Sequence, residues 1–377
     1  MPDFYEFFAG GGMARLGLGE AWRCTFANDN DEKKAASYTR RFGKGDLLIG
    51  DVKQVKTGNL PGCADLAWAS FPCQDLSLAG NGEGLQGERS GTFWMFWDLI
   101  RGLRKENRAP RLIVLENVRG AITSNNGNDF AAIARALAGS DYRFGPLVMD
   151  AVHFLPQSRP RLFIVAVASG VAIPDELMRL DPGALWHPRS LVDVKFTLSK
   201  KAQDSWIWWN IPAPPQRTTV FSDLIEEDPI GVQWNTSKQT QALLEMMSPV
   251  NREKVRSAQK AGELRVGALY KRTRKGIQRA EVRFDDVAGC LRTPRGGSSR
   301  QTIIVVRGRS VRTRLLSPRE AARLMGLPDD YALPSNYNDA YHLAGDGLAV
   351  PVVSHLASHL LTPVARAIAE QTNAAAA

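Results

Sequence analysis

Three short segments of the chain carry residue types that can do chemistry. Phe71-Pro72-Cys73-Gln74 sets a thiol directly after an apolar run, Leu66 to Ser70, that reads as a strand. The stretch that follows holds Gly80, Gly82, Gly84, Gly87 and Gly91. A thiol at a strand end beneath a glycine-rich stretch suits a nucleophile with a lid. A free thiol titrates near about 8.5, so neighbouring positive charge or hydrogen bonds must raise its thiolate fraction. Arginines downstream can meet that need. Glu116-Asn117-Val118 follows another apolar run, Leu112 to Leu115. A partly buried glutamate with a raised pKa can donate a proton. In Gln157-Ser158-Arg159-Pro160-Arg161, residues 157, 159 and 161 would share one face of an extended segment.

A second group of residues suits ligand binding. Phe8-Ala9-Gly10-Gly11-Gly12 lies between an apolar run, Phe4 to Phe8, and a helical pattern, Met13 to Trp22. Glycines here let the backbone approach a ligand at a helix N-terminus. The dinucleotide fingerprint G-x-G-x-x-G fails, because Arg15 stands where the third glycine is required. Asp29 follows a second strand candidate, Cys24 to Ala27, and Asp51 ends a third. Each aspartate alone reads equally well as a helix cap. Placed after successive strands, they sit where open α/β sheets bind ligands.

These residues need a scaffold, and the first 170 residues supply one. Strand candidates alternate with helical patterns at Asp31 to Phe42, Thr92 to Arg104 and Asp129 to Leu137, and Leu162 to Ala168 is a further strand. Such alternation predicts a parallel α/β sheet. After about residue 170 the rhythm is lost. Pro212, Pro214 and Pro215 accompany a tryptophan group, Trp206, Trp208 and Trp209, which reads as core rather than as a stacking platform. Helical patterns resume at Ser317 to Met325 and Val352 to Ala369.

Composition is that of an ordinary globular protein, 44% hydrophobic and 23% charged. No continuous apolar run reaches bilayer length, and the acidic N-terminus lacks the basic segment of a signal peptide, so a cytoplasmic location is expected. The four cysteines form no CxxC pair, and no metal site is expected. Of the total charge of +9, residues 251 to 320 carry a net +13, which leaves the rest of the chain at −4. A basic block on an acidic body predicts a local polyanion footprint.

Taken together, the segments resemble the DNA (cytosine-5)-methyltransferases. Phe71-Pro72-Cys73-Gln74, Glu116-Asn117-Val118 and Gln157-Ser158-Arg159-Pro160-Arg161 are similar to that family's three catalytic motifs, in its order. Phe8 to Gly12 resembles its first motif, Arg314 to Pro328 its ninth, and Gly345-Asp346-Gly347-Leu348-Ala349-Val350-Pro351 its tenth. The resemblance implies a Rossmann-like α/β domain that binds S-adenosylmethionine, built from residues 1–170 and 340–377. It implies a smaller target-recognition domain of mixed β and irregular structure with a hinge, residues 171–339. Cys73 would add to C6 of a flipped-out cytosine, Glu116 would hold and protonate N3, Arg161 would contact O2, and Arg159 would help organise the site. Phe8, Gly10, Gly12, Asp29, Asn30, Asp51, Val52, Pro72, Asp346 and Leu348 would line the cofactor. Many members carry asparagine where this chain has Asp346.

Gln74, Ser77 and Arg89 would contact DNA from the catalytic loop. Lys271, Arg272, Arg274 and Lys275 would contact it from the basic run, which also reads as a solvated charged turn, and Arg292, Arg295 and Arg300 from the segment beyond. Duplex DNA is the expected partner, with a cognate restriction endonuclease as a second. The enzyme is expected to be a bacterial, nucleoid-associated monomer. Two rivals share the catalytic core: an RNA (tRNA) cytosine-5 methyltransferase and a non-catalytic DNA-binding relative. The first usually carries a Cys-Phe-Thr segment, absent here, and the second should have lost Cys73, Glu116 or Arg161, all present. A nicotinamide-dependent oxidoreductase is disfavoured by Arg15.

Overall fold

The computed structural model describes residues 1–72, 91–274, 276–292 and 300–376. The chain divides into two compact units, Met1–Asp150 with Pro160–Pro214 and Val352–Ala377, and Ala151–Arg159 with Pro215–Pro351.

The first unit is built on one sheet of β1 (Asp3–Phe7), β2 (Arg23–Asp29), β3 (Leu47–Ile49), β4 (Leu66–Ala69), β5 (Leu112–Val118), β6 (Tyr142–Asp150) and β7 (Pro160–Ala168). Their order is β3-β2-β1-β4-β5-β7-β6. The first five strands run parallel, and β7 is antiparallel to both β5 and β6. The first five strands form the parallel α/β sheet the alternation predicts, β7 departs from it by running antiparallel, and the whole is the Rossmann-like fold the resemblance implies. The inner strands are continuous apolar runs, such as Leu66-Ala67-Trp68-Ala69, buried throughout. A strand covered by helices on both faces has that composition. The helices are α1 (Met13–Leu18), α2 (Glu32–Phe42), α3 (Thr92–Lys105) and α4 (Asn128–Gly139). Asp31 starts α2 by accepting the Lys33 and Lys34 amides. Helix α3 buries Phe93, Phe96, Trp97, Leu99, Ile100 and Leu103 along one face. Strand order reverses at β1, flanked by β2 on one side and β4 on the other. Ligands of open α/β sheets bind at such a reversal, beyond the carboxyl ends of the strands.

Strand β6 escapes the sequence reading, because Gly145 and Pro146 interrupt its pattern. Only residues 151–159 join β6 to β7, too few for a parallel crossover, so the pair is antiparallel. The two-stranded β8 (Met178–Arg179) and β9 (Trp208–Trp209) follow, with α5 (Arg189–Lys195) and α6 (Lys200–Asp204). The boundary at residue 170 is not where this unit ends. The Ile207 amide donates to Phe144 O at 2.8 Å and Trp209 Nε1 to Gly145 O at 3.0 Å. The tryptophans are therefore core of the parallel-sheet unit, not part of a second domain.

The second unit holds α7 (Ser237–Glu245), α8 (Pro249–Ala261), β10 (Leu264–Arg274), β11 (Ile277–Arg283), β12 (Thr302–Arg307), β13 (Ser310–Leu315), α9 (Pro318–Arg323) and α10 (Tyr337–Asp346). Its sheet is antiparallel, in the order β11-β10-β12-β13. Leu243, Met247 and Val255 of the α7–α8 region pack on Leu269, Val282, Ile304 and Val306 of this sheet. Helices α11 (Val350–Leu356) and α12 (Thr362–Ala376) are joined through a π-helical turn, Ala357–Leu361. Although no bilayer-length run is expected from the sequence, the helical stretch Tyr337–Ala374 is long and apolar enough to cross a membrane by length and composition; 61% of the relevant window is buried inside the protein.

Candidate active site

In the first unit, the carboxyl ends of β1, β2, β4 and β5 carry the residues of interest. Three residues of the β1–α1 turn have left-handed backbone: Phe8 at φ 59°, Gly10 at 56° and Gly12 at 76°. A Cβ at Gly12 would lie 2.4 Å from Phe42 Cε2 and 2.9 Å from Tyr38 Cδ2, so this glycine lets α2 pack against the turn. Gly10 is different, with only Lys34 Cδ at 3.9 Å, and leaves the backbone open to approach.

Asp29, buried at the end of β2, fixes this turn. Its Oδ2 accepts the Gly10 amide at 2.7 Å and its Oδ1 the Asp31 amide at 2.8 Å. Burial pushes its pKa up, against the pull of those amides and of Lys34. Asn30 is exposed beside it. Asp51 caps the 3-10 turn Val52–Gln54 through the Lys53 amide at 2.9 Å, and Val52 is core. Asn28, a residue the motifs do not mark, holds the neighbouring strand by donating to Leu48 O and Gly50 O at 3.0 and 2.9 Å.

Two of the catalytic candidates, Glu116 and Arg161, meet at β5. Glu116 lies within the strand, not after it. Antiparallel register sets Val118 opposite Arg161 and Glu116 opposite Phe163, so Arg161 is the diagonal neighbour of Glu116 on one face. Arg161 Nε lies 3.4 Å from Glu116 Oε1, with 16% and 10% of the two side chains exposed. Asn117 points the other way and donates to Phe71 O at 3.1 Å, which ties β5 to the turn that carries Pro72. No role for Asn117 is evident in the sequence, although it is part of the motif. Cys73, Gln74, Ser77, Arg89, Lys275 and Arg295 lie outside the described residues, as does the side chain of Arg274.

Arg159 belongs to the second unit, unlike Arg161 two residues on. Its guanidinium is 2% exposed and donates to Leu291 O at 3.0 Å, Gly345 O at 2.8 Å and Gly347 O at 2.7 Å. Gln157, fully buried, donates to Leu324 O at 2.6 Å and accepts the Leu291 amide at 3.2 Å. Both side chains organise the second unit from within. In that unit Asp346 is exposed at the end of α10, and Leu348 is buried. Lys271, Arg272 and Arg292 are exposed, while Arg300 is held over the Tyr337 ring and by Asn338.

Glu6 is the site-proximal residue the motif reading misses. It is 1% exposed on β1, its pKa is pushed up to about 8 by burial, and its Oε2 has no hydrogen-bond partner. One charged residue inside Phe4-Tyr5-Glu6-Phe7-Phe8 is the signal that could have found it.

The sheet with its reversal at β1, and the Glu116–Arg161 pair near the carboxyl end of β5, are an α/β arrangement of the class that binds ligands beyond its strand ends. The family model of C-5 cytosine-specific DNA methylase matches residues 3–362, and the chain belongs to that family of DNA (cytosine-5-)-methyltransferases. Relatives include the type II methyltransferase M.NlaX of Neisseria lactamica, 28% identical over 379 residues, covering 100% of this chain and 97% of that one. The type II methyltransferase M.BsuFI of Bacillus subtilis is 27% identical over 356 residues, 94% of this chain and 71% of that one. Among solved structures, the S. pombe Dnmt2 methyltransferase shares the fold with a TM-score of 0.60 at 17% identity, over 97% of this chain and 99% of that one.

Proposed function

We propose that the chain methylates C5 of a flipped-out cytosine within a specific duplex DNA sequence, with S-adenosylmethionine as methyl donor and Cys73 as nucleophile. The observation that carries this reading is the pairing of Glu116 with Arg161 beside Asn117, whose amide holds the turn leading to Cys73. Cytosine C5 is a weak nucleophile. Addition of the Cys73 thiolate to C6 pushes electrons toward N3 and O2 and makes C5 enamine-like. The contact between Glu116 and Arg161 keeps both groups in place before the base arrives. As the base enters, Arg161 turns part of its donor fork to O2, and Glu116 takes up a proton from solvent and passes it to N3 as the thiolate adds. Loss of the C5 proton to a base, return of the N3 proton to Glu116 and departure of Cys73 from C6 as thiolate restore the ring.

The β1–α1 turn fits the cofactor. Gly10 leaves its backbone open, and Phe8, Gly12, Asp29, Asn30, Asp51, Val52 and Pro72 lie at or just after the carboxyl ends of β1, β2, β3 and β4. When bound, S-adenosylmethionine supplies the electrophilic methyl group that C5 accepts. In this reading the first unit is the catalytic domain and the second recognises the target. A cognate restriction endonuclease, a monomeric state and a cytoplasmic location complete the proposal, in keeping with the type II names of the relatives.

The test is incubation with labelled S-adenosylmethionine and duplex DNA beside a Cys73→Ser variant, followed by mapping of the modified base. Label at cytosine C5 in the wild type and background in the variant are expected. Label on tRNA but not on DNA, or label that survives in Cys73→Ser, would overturn the reading.

A further inference from the structure

The second unit carries a feature that its own packing does not explain. Strand β10 pairs with β12 only from Leu264 to Leu269, but with β11 from Ala268 to Arg274. Among the described residues, the sheet beyond Leu269 therefore narrows to a ribbon of two strands, with Gly276 (φ 74°) just before β11. The base of the ribbon is closed by Ala280, fully buried, whose amide donates to Met246 O at 3.1 Å. Past that point Lys271, Arg272, Thr273, Ile277, Gln278 and Arg279 are all exposed. A hairpin without a third strand is marginal by itself, and its exposed edge invites pairing with other chains.

Register sorts the ribbon into two faces. Thr273 stands opposite Gln278 on one, and Arg272 opposite Arg279 on the other. Ile277, two residues from Arg279, shares the arginine face and is 58% exposed. Like charges directly opposite each other destabilise a strand pair, so the Arg272–Arg279 pairing disfavours the free ribbon. Glu281 offsets this at 3.5 Å from Arg272, and Tyr270 lies beneath the same guanidinium. Among the side chains described on this face, that leaves Arg279 and Ile277 as the outward groups. The major groove of DNA is wide enough for a two-stranded ribbon. An arginine fork matches guanine O6 and N7, and an apolar group matches the thymine methyl.

We infer that the ribbon strands 271–273 and 277–279 enter the major groove of duplex DNA and that Ile277 and Arg279 read base edges there. The inference rests on the DNA-methylation reading and assigns sequence specificity within it. The alternative is that the basic residues only keep an exposed edge from aggregating.

The experiment selects bound sequences from a random duplex library with the wild type, Ile277→Ser, Arg279→Lys and Arg279→Ala, and follows affinity for a fixed non-target duplex at several salt concentrations. Melting temperatures confirm that each variant folds. Arg279→Lys keeps the charge but loses the fork. It should relax preference at one base pair by roughly 5- to 150-fold, with non-target affinity unchanged. Ile277→Ser should relax a second position. The inference is overturned by an unchanged sequence preference. Such a result with a uniform affinity loss in Arg279→Ala, and a salt slope lower by about 0.9, would make Arg279 a phosphate contact. The same result with no affinity change in any variant would leave edge protection alone. Methylation by the wild type, scored in parallel, tests the earlier reading separately, because the selection requires binding and no turnover.

Discussion

Two of the most deeply buried glutamates, one in each unit, are kept in opposite ways. Glu6 of β1 sits among apolar strands, is 1% exposed, and titrates near about 8, so at neutral pH it holds a proton. The nearest cation acting on it, Arg15, is itself engaged by Tyr38 at 2.8 Å and Asp46 at 3.1 Å. Glu320 of α9 is fully buried and bonded to Arg314 at 2.6 and 2.8 Å. It also accepts the Ser317 amide at 2.7 Å and the Glu226 amide at 2.8 Å. Burial of a bare carboxylate is prohibitive, so the group either takes up a proton or finds a cation and donors. At Glu6, beside the β1–α1 turn, the parallel-sheet unit uses the first solution, whereas its Glu116 faces Arg161 at 3.4 Å. The antiparallel unit uses the second, as a clamp inside its own frame.

The largest test of this contrast is Glu320→Ala. Removal of one partner leaves the Arg314 guanidinium buried and unpaired. A loss of about 3–5 kcal/mol is expected in chemical denaturation. A loss below about 1 kcal/mol would mean that water or Glu226 replaces the missing carboxylate, and the two glutamates would no longer represent different solutions.

A pair of glycines sharpens the comparison. Gly12 and Gly276 have nearly the same backbone, φ 76° and 74°. Alanine at either carries a left-handed penalty of roughly 1–2 kcal/mol. At Gly276 nothing lies within 4 Å of the added carbon, so the penalty ends there. At Gly12 the carbon meets Phe42 and Tyr38, which adds an overpacking cost of about 1–3 kcal/mol. Thermal denaturation should therefore rank Gly12→Ala well below Gly276→Ala. Titration with S-adenosylhomocysteine should show weakened binding only for Gly12→Ala. Equal losses would place the turn and the ribbon on the same footing.

Legibility in the sequence follows the same divide. Buried parallel strands are apolar runs bounded by turns, so β1, β2, β4, β5 and β7 stand out. The motifs on their ends come with them. Strand β6 does not, because Gly145 is there to let Trp209 and Ile207 approach within 2.6 Å of where a Cβ would stand, a long-range demand with no local pattern. The tryptophans of residues 206–209 were expected in the second domain for the same reason: what claims them is β6, some sixty residues earlier. Helices α7 and α8 carried local signals, the Thr236–Gln239 capping box and Ser248-Pro249. The prolines and charges around them obscured both. The pairing of Glu116 with Arg161 was legible as motif but not as geometry, since it depends on β7 running antiparallel.

The smallest expected effect concerns the proton on Glu6. Its folded pKa, about 8, lies above the ordinary carboxyl value of 4.5. The folded state therefore binds more protons than the unfolded one between those values. The stability this proton contributes is complete below about 4.5 and is lost as pH rises through about 8. The slope approaches, at most, about 1.4 kcal/mol per pH unit. Glu6→Gln keeps the size and removes the titration. Denaturation midpoints of the wild type should fall between pH 6 and 8.5 more steeply than those of the variant. His187, in the same unit, has its pKa lowered to about 4 by burial; its effect on stability around and below its ordinary value of 6.5 is common to both proteins and cancels in the comparison. If both proteins show the same slope, Glu6 is ionised in the folded state with Arg15 as its partner, and it is held by an ion pair as Glu116 and Glu320 are.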